Sequence, residues 1–286
     1  VLASPLPGFT PTREFASPMV PFRSVGPFNR LSHSVMANGG EAIFRRMISE
    51  WRVSELELGP RPASKLRPSA TLYAYSTSVL PRPADWPDSV AVTGYWVLDD
   101  NRDWHPEPAL QAFLDAGESP VYVGFGSMPA LEPAKLTAMV IDALGRAGKR
   151  GVLATGGGAI HDQRASANVH FIDGAPHDRL FPLMAACIHH GGAGTTGASL
   201  RAGKPTVICP FFGDQPFWAR RLHELEVGPA PMEMKKLTTA WLADAITEVT
   251  SNGTFAANAT RIGAELRSEQ GVASAIAFLQ RRKLLM

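Results

Sequence analysis

The sequence is poor in cysteine, in net charge and in long hydrophobic runs. Two cysteines in 286 residues cannot form a disulfide framework, and both Cys187 and Cys209 sit in apolar runs, which favours reduced core thiols and a cytoplasmic protein. The 28 Lys and Arg nearly balance the 26 Asp and Glu without any long like-charge run, so we expect no nucleic-acid partner. No apolar stretch approaches the roughly 18 residues of a membrane span, so membrane contact is expected to be peripheral at most.

Proline and glycine are divided unevenly along the chain. Fourteen of the 24 prolines lie in residues 1–108, whereas 20 of the 26 glycines follow. The prolines of residues 1–27 argue against a helix and against a central strand. Apolar residues at helical spacing between 31 and 53 predict one amphipathic helix. A second Pro-rich stretch, 59–87, encloses one predicted short strand at 71–75. The Pro-rich side therefore has too little regular structure for an independent domain of about 90 residues.

After residue 108, short apolar runs alternate with stretches of helical periodicity. This alternation predicts an α/β domain with a doubly wound parallel sheet. Ligands of such sheets bind outside the carboxyl ends of the strands, so the residues that follow each strand are the informative ones. The predicted strands are 121–125, 151–155, 169–172, 187–189, 205–211 and 227–230, and the predicted helices are 133–147, 178–186, 193–202, 215–225, 239–250, 254–268 and 272–282.

One glycine-rich segment between a strand and a helix has the composition of a phosphate site. Gly192 and Gly194 allow close approach of the backbone, and Thr195 and Thr196 add hydroxyl donors. The free amides and the dipole at the start of the following helix favour an anion. His190, just before the glycines, offers a further hydrogen bond to a phosphate oxygen. These residues predict a cradle for a phosphate or a diphosphate.

The same segment also matches the dinucleotide fingerprint G-x-G-x-x-G. Gly192, Gly194 and Gly197 supply the three glycines, and Asp214 follows at the end of the next strand. The fingerprint normally opens its domain, whereas three predicted strands precede it here. A nicotinamide-dependent oxidoreductase stays open as the less favoured alternative, and so does a tight turn that serves packing alone.

Asp214 and Gln215 follow the next predicted strand. A carboxylate beside an amide accepts from and donates to neighbouring hydroxyls, which a sugar offers. Such a pair is more often a helix cap, but here it shares a sheet edge with the phosphate cradle. Together the two features predict a site for a sugar attached to a diphosphate.

These residues carry a resemblance to a known family. The run IHHGGAGTTGASLRAGKPTVICPFFGDQPFWARRL resembles the donor-binding signature of GT-B fold nucleotide-sugar glycosyltransferases, in the sterol 3-β-glucosyltransferase-like and antibiotic glycosyltransferase group. YVGFGSM (122–128), APHDRLFP (175–182) and the linker-like residues 78–100 are similar to the same family. The resemblance covers nearly the whole chain. It implies a complete Rossmann-like C-terminal donor domain in residues 96–286, preceded by the C-terminal part of an acceptor domain in residues 1–95.

The resemblance also implies roles for single residues. His190 would contact the donor diphosphate, and the donor would be a substrate, with no metal and no cofactor. The general base of the family has no match here, and His33, the one histidine in residues 1–100, is expected to be an ordinary surface residue. The other implied donor-binding residues are Gly126, Ser127, Gly192, Gly194, Thr195 and Thr196 for the phosphates, Asp214 and Gln215 for the sugar, and Ala175 and His177 beside the uracil.

The expected function follows from that resemblance. It is an inverting, metal-independent transfer of a hexose, with glucose favoured, from a UDP-sugar to a hydroxyl of a lipophilic acceptor such as a sterol. Because the base is unmatched, a complementary N-terminal segment is an expected partner. The alternative is a donor-binding fragment or pseudo-enzyme that is inactive without that segment.

Overall fold

The computed structural model describes residues 1–60, 68–97, 104–128, 132–161 and 167–285. The chain divides into two compact units. The first comprises residues 1–77, 81–94 and 270–286, and the second comprises residues 78–80 and 95–269. Residues 98–100 of the predicted linker lie outside the described residues. The last helix clusters with the first unit, whereas the sequence placed it in the donor domain, because periodicity reveals an apolar face without revealing what it packs against.

The first unit contains a small parallel sheet, of which the sequence predicted only the strand at 71–75. Its strand order is β1-β2-β3, with Leu2 opposite Thr71 and Thr71 opposite Val90. Six prolines did not prevent the first strand, because it ends before Pro5 and lies at a sheet edge. The elements of this unit are β1 (Leu2–Ser4), α1 (Asn29–Ser54), β2 (Thr71–Tyr73), β3 (Val90–Val92) and α9 (Gly271–Arg281).

The predicted amphipathic helix α1 is present, but much of its apolar face is exposed. Ile43 is 75% exposed, Phe44 50%, Met47 58% and Trp51 53%. His33 on the same helix is buried, so the expectation of a surface histidine was wrong. Its Nδ1 lies 3.2 Å from the carbonyl oxygen of Gly8 and its Nε2 lies 3.2 Å from that of Phe15. Residues 8–15 fold over the helix, a long-range contact that the local sequence does not reveal.

The second unit is the predicted doubly wound α/β domain. Its five parallel strands have the order β6-β5-β4-β7-β8. Alternate residues of one strand enter cores on opposite faces of the sheet: Val121 and Val123 pack on one side and Tyr122 on the other. Its elements are α2 (Pro108–Asp115), β4 (Val121–Gly124), α3 (Pro133–Arg146), β5 (Gly151–Ala154), β6 (Val169–Ile172), α4 (His177–Leu180), β7 (Ala186–His189), α5 (Ala193–Arg201), β8 (Thr206–Ile208), α6 (Gln215–Glu224), α7 (Thr239–Ser251) and α8 (Gly253–Ser268).

The strand order creates one topological switch point. The chain runs outward from β4 through β5 to β6 and then returns to β7 on the other side of β4. Gly124 and His189 are paired partners at the carboxyl ends of β4 and β7. The loops that leave these two strands diverge to opposite faces, which opens the crevice where ligands of such sheets bind.

Two predicted elements of this unit are wrong. The helix predicted over 178–186 is four residues of α4 followed by a 3-10 turn at Phe181–Leu183, because Pro182 lacks the amide hydrogen that would continue the helix. The strand predicted over 227–230 is not a strand. Val227 accepts one bond from the Thr206 amide at 2.9 Å, and Pro229 and Pro231 break the ladder on both sides of Ala230.

Candidate donor site

The loop between β7 and α5 is the centre of the candidate site. Gly191 has a φ of +90°, and a Cβ placed there would lie 2.6 Å from Cγ2 of Ile208, so no other residue fits without strain. Gly192 is the N-cap of α5 and supplies no side-chain cap. The first helical bond is donated by the Thr196 amide to the Gly192 carbonyl at 2.9 Å. The amides of the first turn before it are therefore available to an anion.

His190 lies against two glycines of different loops. A Cβ on Gly126 would come within 3.1 Å of its ring, and one on Gly192 within 2.6 Å of its Nε2. A side chain at either position would therefore push the imidazole out of its present place. Burial lowers the pKa of His190 from 6.5, while the charge of Asp214 opposes that shift. The ring is therefore neutral at pH 7 and carries one N–H donor.

Two polar atoms at the junction of β7 and α5 are buried without a hydrogen-bond partner among the described residues. They are Nδ1 of His190 and Oγ1 of Thr196. Buried polar groups are nearly always hydrogen-bonded, and exceptions point to a missing partner. A ligand with oxygen acceptors at the start of α5 would supply both bonds. The sequence predicted both residues for the phosphate cradle, and the structure places them at the junction of β7 and α5.

The loop that follows β4 forms the opposite wall. Gly126 has a φ of +57°, and Ser127 is exposed at its tip. Gly157, from the loop after β5, packs so closely that a Cβ would lie 1.9 Å from the carbonyl oxygen of Gly126. Gly157 thus packs directly against the Gly126–Ser127 backbone. Ser127 therefore lies next to Gly126, the glycine that faces the His190 ring.

The predicted sugar pair, Asp214 and Gln215, is rigidly held. The Asp214 carboxylate accepts a bond from Nε1 of Trp218 at 3.0 Å. Gln215 is buried, and its Oε1 accepts from the Phe211 amide at 2.7 Å. Its Nε2 donates to the thioether sulfur of Met128 at 3.2 Å, a weak acceptor. One Asp214 oxygen and the Gln215 amide hydrogens are therefore the groups best placed to meet sugar hydroxyls.

The two residues predicted beside the uracil lie on different cavities. His177 lines a cavity of about 510 Å³ that also borders Gly194 of the cradle. Ala175 lines a separate cavity of about 200 Å³. The His177 ring stacks on Phe181 with centroids 4.4 Å apart. The larger cavity adjoins the start of α5, so it is the one that communicates with the phosphate cradle.

The literal dinucleotide fingerprint lies in an unusual place. Gly192, Gly194 and Gly197 follow β7, which is the fourth strand of its sheet along the chain. The fingerprint that holds dinucleotides follows the first strand. Gly197 packs against the ring of Tyr95, where a Cβ would come within 2.5 Å. That glycine serves helix packing in this protein.

Residues 138–277 match the family model described as erythromycin biosynthesis protein CIII-like, C-terminal domain. This part of the chain is therefore similar to that C-terminal domain. The chain is 40% identical to the sterol 3-beta-glucosyltransferase of Aspergillus fumigatus (strain Af293), over 91% of this chain and 19% of that protein. It is 36% identical to sterol 3-beta-glucosyltransferase UGT80A2 of Arabidopsis thaliana, over 94% of this chain and 43% of that protein. The chain thus spans less than half the length of these relatives.

Two solved structures share the fold. The glycotransferase of kitacinnamycin matches with a TM-score of 0.64 at 17% identity, over 91% of this chain and 66% of that one. CalG4, the calicheamicin glycosyltransferase, matches with a TM-score of 0.59 at 20% identity, over 88% of this chain and 64% of that one. The predicted α/β fold of GT-B type is therefore confirmed.

Within the described residues, no helix combines the length and apolar character that a membrane crossing requires. In that same part of the chain, no three His, Cys, Asp or Glu side chains come together as ligands for a metal ion. The loops that follow β4, β7 and β8 instead collect amides, hydroxyls and imidazoles. The assigned site residues remain predictions about a ligand, although the structure brings the loops that carry most of them together.

The histidines of the protein predict how its stability depends on pH. Burial lowers the pKa of His33, His177 and His190 below 6.5 and that of His189 well below it. The unfolded chain therefore binds protons that the folded chain excludes, so stability is retained above pH 6.5 and falls as the pH drops below it. Between pH 6.5 and 5 one fully excluded proton costs about 2 kcal/mol. Urea unfolding at pH 7.5, 6.0 and 5.0 should show this loss, and equal midpoints would contradict it.

Proposed function

We propose that this chain supplies the donor-binding half of an inverting, metal-independent glycosyltransferase. Its donor would be a UDP-sugar carrying a hexose, with glucose favoured, and its acceptor a hydroxyl of a sterol or similar lipophilic molecule. The observation that carries the proposal is the pair of buried, unpartnered atoms, His190 Nδ1 and Thr196 Oγ1, at the start of an uncapped helix. The sterol 3-beta-glucosyltransferases to which the chain is similar support the choice of sugar and acceptor.

The cradle provides what a departing nucleoside diphosphate requires. In a single displacement at the anomeric carbon, negative charge grows on the diphosphate as the glycosidic bond to it breaks. The first-turn amides and dipole of α5, the Thr195 and Thr196 hydroxyls and the neutral His190 N–H would all point donors at that charge. Such fixed donors stabilise a developing anion without reorganising. This arrangement takes the role that a divalent cation has in other transferases.

The sugar end of the donor would lie at the start of α6. Trp218 holds one carboxylate oxygen of Asp214 at 3.0 Å, so the other oxygen accepts from a sugar hydroxyl in a fixed direction. The Gln215 amide exchanges its weak bond to Met128 for a bond to a second hydroxyl. Because charge-assisted bonds to hydroxyls are the stronger ones, Asp214 should contribute more than Gln215.

The general base is proposed to lie on a complementary N-terminal segment. His33 does not serve, because both of its ring nitrogens face backbone carbonyl oxygens. The exposed apolar residues of α1, among them Ile43, Phe44, Met47 and Trp51, support a further layer of acceptor-domain polypeptide over that helix. We expect little or no sterol glucosylation by the 286-residue chain alone. Robust turnover of UDP-glucose and sterol by this chain would overturn the proposal that the base lies on another segment.

Isothermal titration with UDP, UDP-glucose and NADH, each in excess EDTA, tests the proposed donor. UDP and UDP-glucose should bind without a metal, and NADH should not bind. UDP binding that appears only after a divalent cation is added would overturn metal independence. NADH binding without UDP binding would favour a nicotinamide-dependent oxidoreductase instead.

Asp214→Ala should separate the sugar from the nucleotide. We expect the affinity for UDP-glucose to fall about tenfold, the cost of one charge-assisted bond, while the affinity for UDP changes less than about twofold. Asp214→Asn is the matched control, because its amide retains an acceptor for Trp218 and a group for the hydroxyl. An equal loss for both ligands in Asp214→Ala would show that this carboxylate only supports the loop.

A further inference from the structure

His189, the last residue of β7, is fully buried and uses both of its ring nitrogens. Its Nδ1 accepts a bond from the Gly191 amide at 3.0 Å, and its Nε2 lies 3.3 Å from Oγ of Ser199. An amide only donates, so Nδ1 carries no proton and the single ring proton sits on Nε2. Burial lowers the pKa of His189 well below 6.5, which agrees with a neutral ring. The tautomer is thus determined by its partners.

The bonds continue in one direction into α5. The Ser199 hydroxyl donates its proton to the Thr196 carbonyl at 3.1 Å, so its lone pairs are free to accept from His189 Nε2. One side chain therefore ties the end of a central strand to both the glycine loop and the first turn of the helix. We call this chain of bonds, from Gly191 through His189 and Ser199 to Thr196, the His189 relay.

The Gly191 bond reaches the candidate phosphate ligand through the backbone. The peptide unit between His190 and Gly191 is planar. The hydrogen bond on its N–H therefore fixes the orientation of the whole unit, including the backbone of His190 at its carbonyl end. The same residue has its imidazole confined between Gly126 and Gly192. Gly191 itself is held at a φ of +90°, a conformation that a free loop leaves easily. Without the acceptor on His189, this peptide unit has no buried partner to hold it.

We propose that His189 is a positioning residue of the donor site, whose relay presets His190 and the first turn of α5 to receive a diphosphate. This inference rests on the proposed function of the cradle. His189 touches no donor atom in this account. Its effect on binding would pass mainly through the Gly191 bond, because that bond orients His190, and only secondarily through Ser199, which steadies the helix.

Two conservative variants separate the halves of the relay. In His189→Asn, Oδ1 stands near the place of Nδ1 and accepts from the amide two residues on, as Asn commonly does. In His189→Gln, the amide nitrogen stands near the place of Nε2 and retains the Ser199 bond alone. His189→Ala loses both. Titration with UDP and thermal unfolding are measured on all three, with His223→Ala as the control because His223 lies near the far end of α6.

We expect His189→Asn to bind UDP within about threefold of the parent, and His189→Gln and His189→Ala to bind about tenfold more weakly, one hydrogen bond's worth of preorganisation. The thermal midpoint should fall in all three variants. The order of their UDP affinities should therefore differ from the order of their thermal midpoints. Equal affinity in Asn and Gln variants, or affinity that follows the thermal midpoint, would overturn the positioning role.

NMR of the unaltered chain tests the relay even if the variants fail to fold. Nitrogen NMR of His189 at pH 7 should show the proton on Nε2, and the Gly191 amide should exchange slowly with solvent. A proton on Nδ1 or a rapidly exchanging Gly191 amide would overturn the relay. If the unaltered chain shows this signature yet binds no UDP, the proposed function fails while the relay itself stands as a structural feature.

Discussion

Replacing His190 by alanine should weaken UDP binding by roughly 10- to 100-fold, the value of a hydrogen bond to a charged phosphate. The imidazole is confined between Gly126 and Gly192, and its Nδ1 is buried without a partner in the part of the chain that the structure describes. Removing it deletes a donor and lets water reach the start of α5. The fold should survive, because His190 is only half-buried and its ring bonds to no protein atom among the described residues. Calorimetric titration with UDP measures the effect.

His223→Ala is the control for His190→Ala. It removes the same residue type from the same unit, where its Nδ1 lies 3.4 Å from the Gly228 carbonyl, and should leave UDP binding unchanged. His190→Asn retains an amide donor near the place of Nδ1 and should recover part of the loss. If His190→Ala binds UDP as tightly as the parent does, the imidazole is not a phosphate ligand.

Gly157→Ala should cost about 3 kcal/mol of stability and most of the UDP affinity, combining left-handed strain with overpacking. Its φ is +110°, and the added Cβ would lie 1.9 Å from the Gly126 carbonyl oxygen and 2.7 Å from Cα of Ser127. Backbone cannot rotate away as a side chain can, so the loop that walls the cradle must shift. Urea unfolding and UDP titration of the same preparation measure the two effects.

Gly158 separates the effect of backbone strain from that of a steric clash. Gly158 has a φ of +89°, yet a Cβ placed there meets nothing within 4 Å. Gly158→Ala should therefore cost only the conformational strain, about 1 to 2 kcal/mol, and leave UDP binding nearly intact. Equal losses of affinity in the two variants would show that the Gly126 loop does not need its present position to bind UDP.

Local patterns in the sequence predicted the fold of the second unit well. Short apolar runs located β4 to β8, because strands buried on both faces require continuous apolar side chains. The cradle was predicted because glycines, hydroxyls and a histidine between a strand and a helix together are typical of a phosphate site. The parallel topology then brought Gly126 and His190 to one sheet edge, as the strand-end rule requires.

Long-range contacts were beyond local patterns. The burial of His33 depends on residues 8–15 folding over α1, and the small sheet of the first unit pairs Leu2 with Thr71. The relay was also missed, since the sequence says only that His189 and His190 point apart. Spacing does not reveal which of two adjacent histidines is buried. Nor does it reveal that α5 places Ser199 within hydrogen-bond distance of His189.

An amide and histidine NMR titration of the labelled chain with UDP in EDTA tests whether this strand edge binds the nucleotide. Saturable shifts are expected on the amides of Gly192–Thr196 and Gly126–Ser127 and on the His190 ring, with no comparable response to NADH. Shifts confined to other parts of the chain, or the same shifts produced by NADH and not by UDP, would contradict the assignment of this strand edge as a nucleotide-sugar donor site.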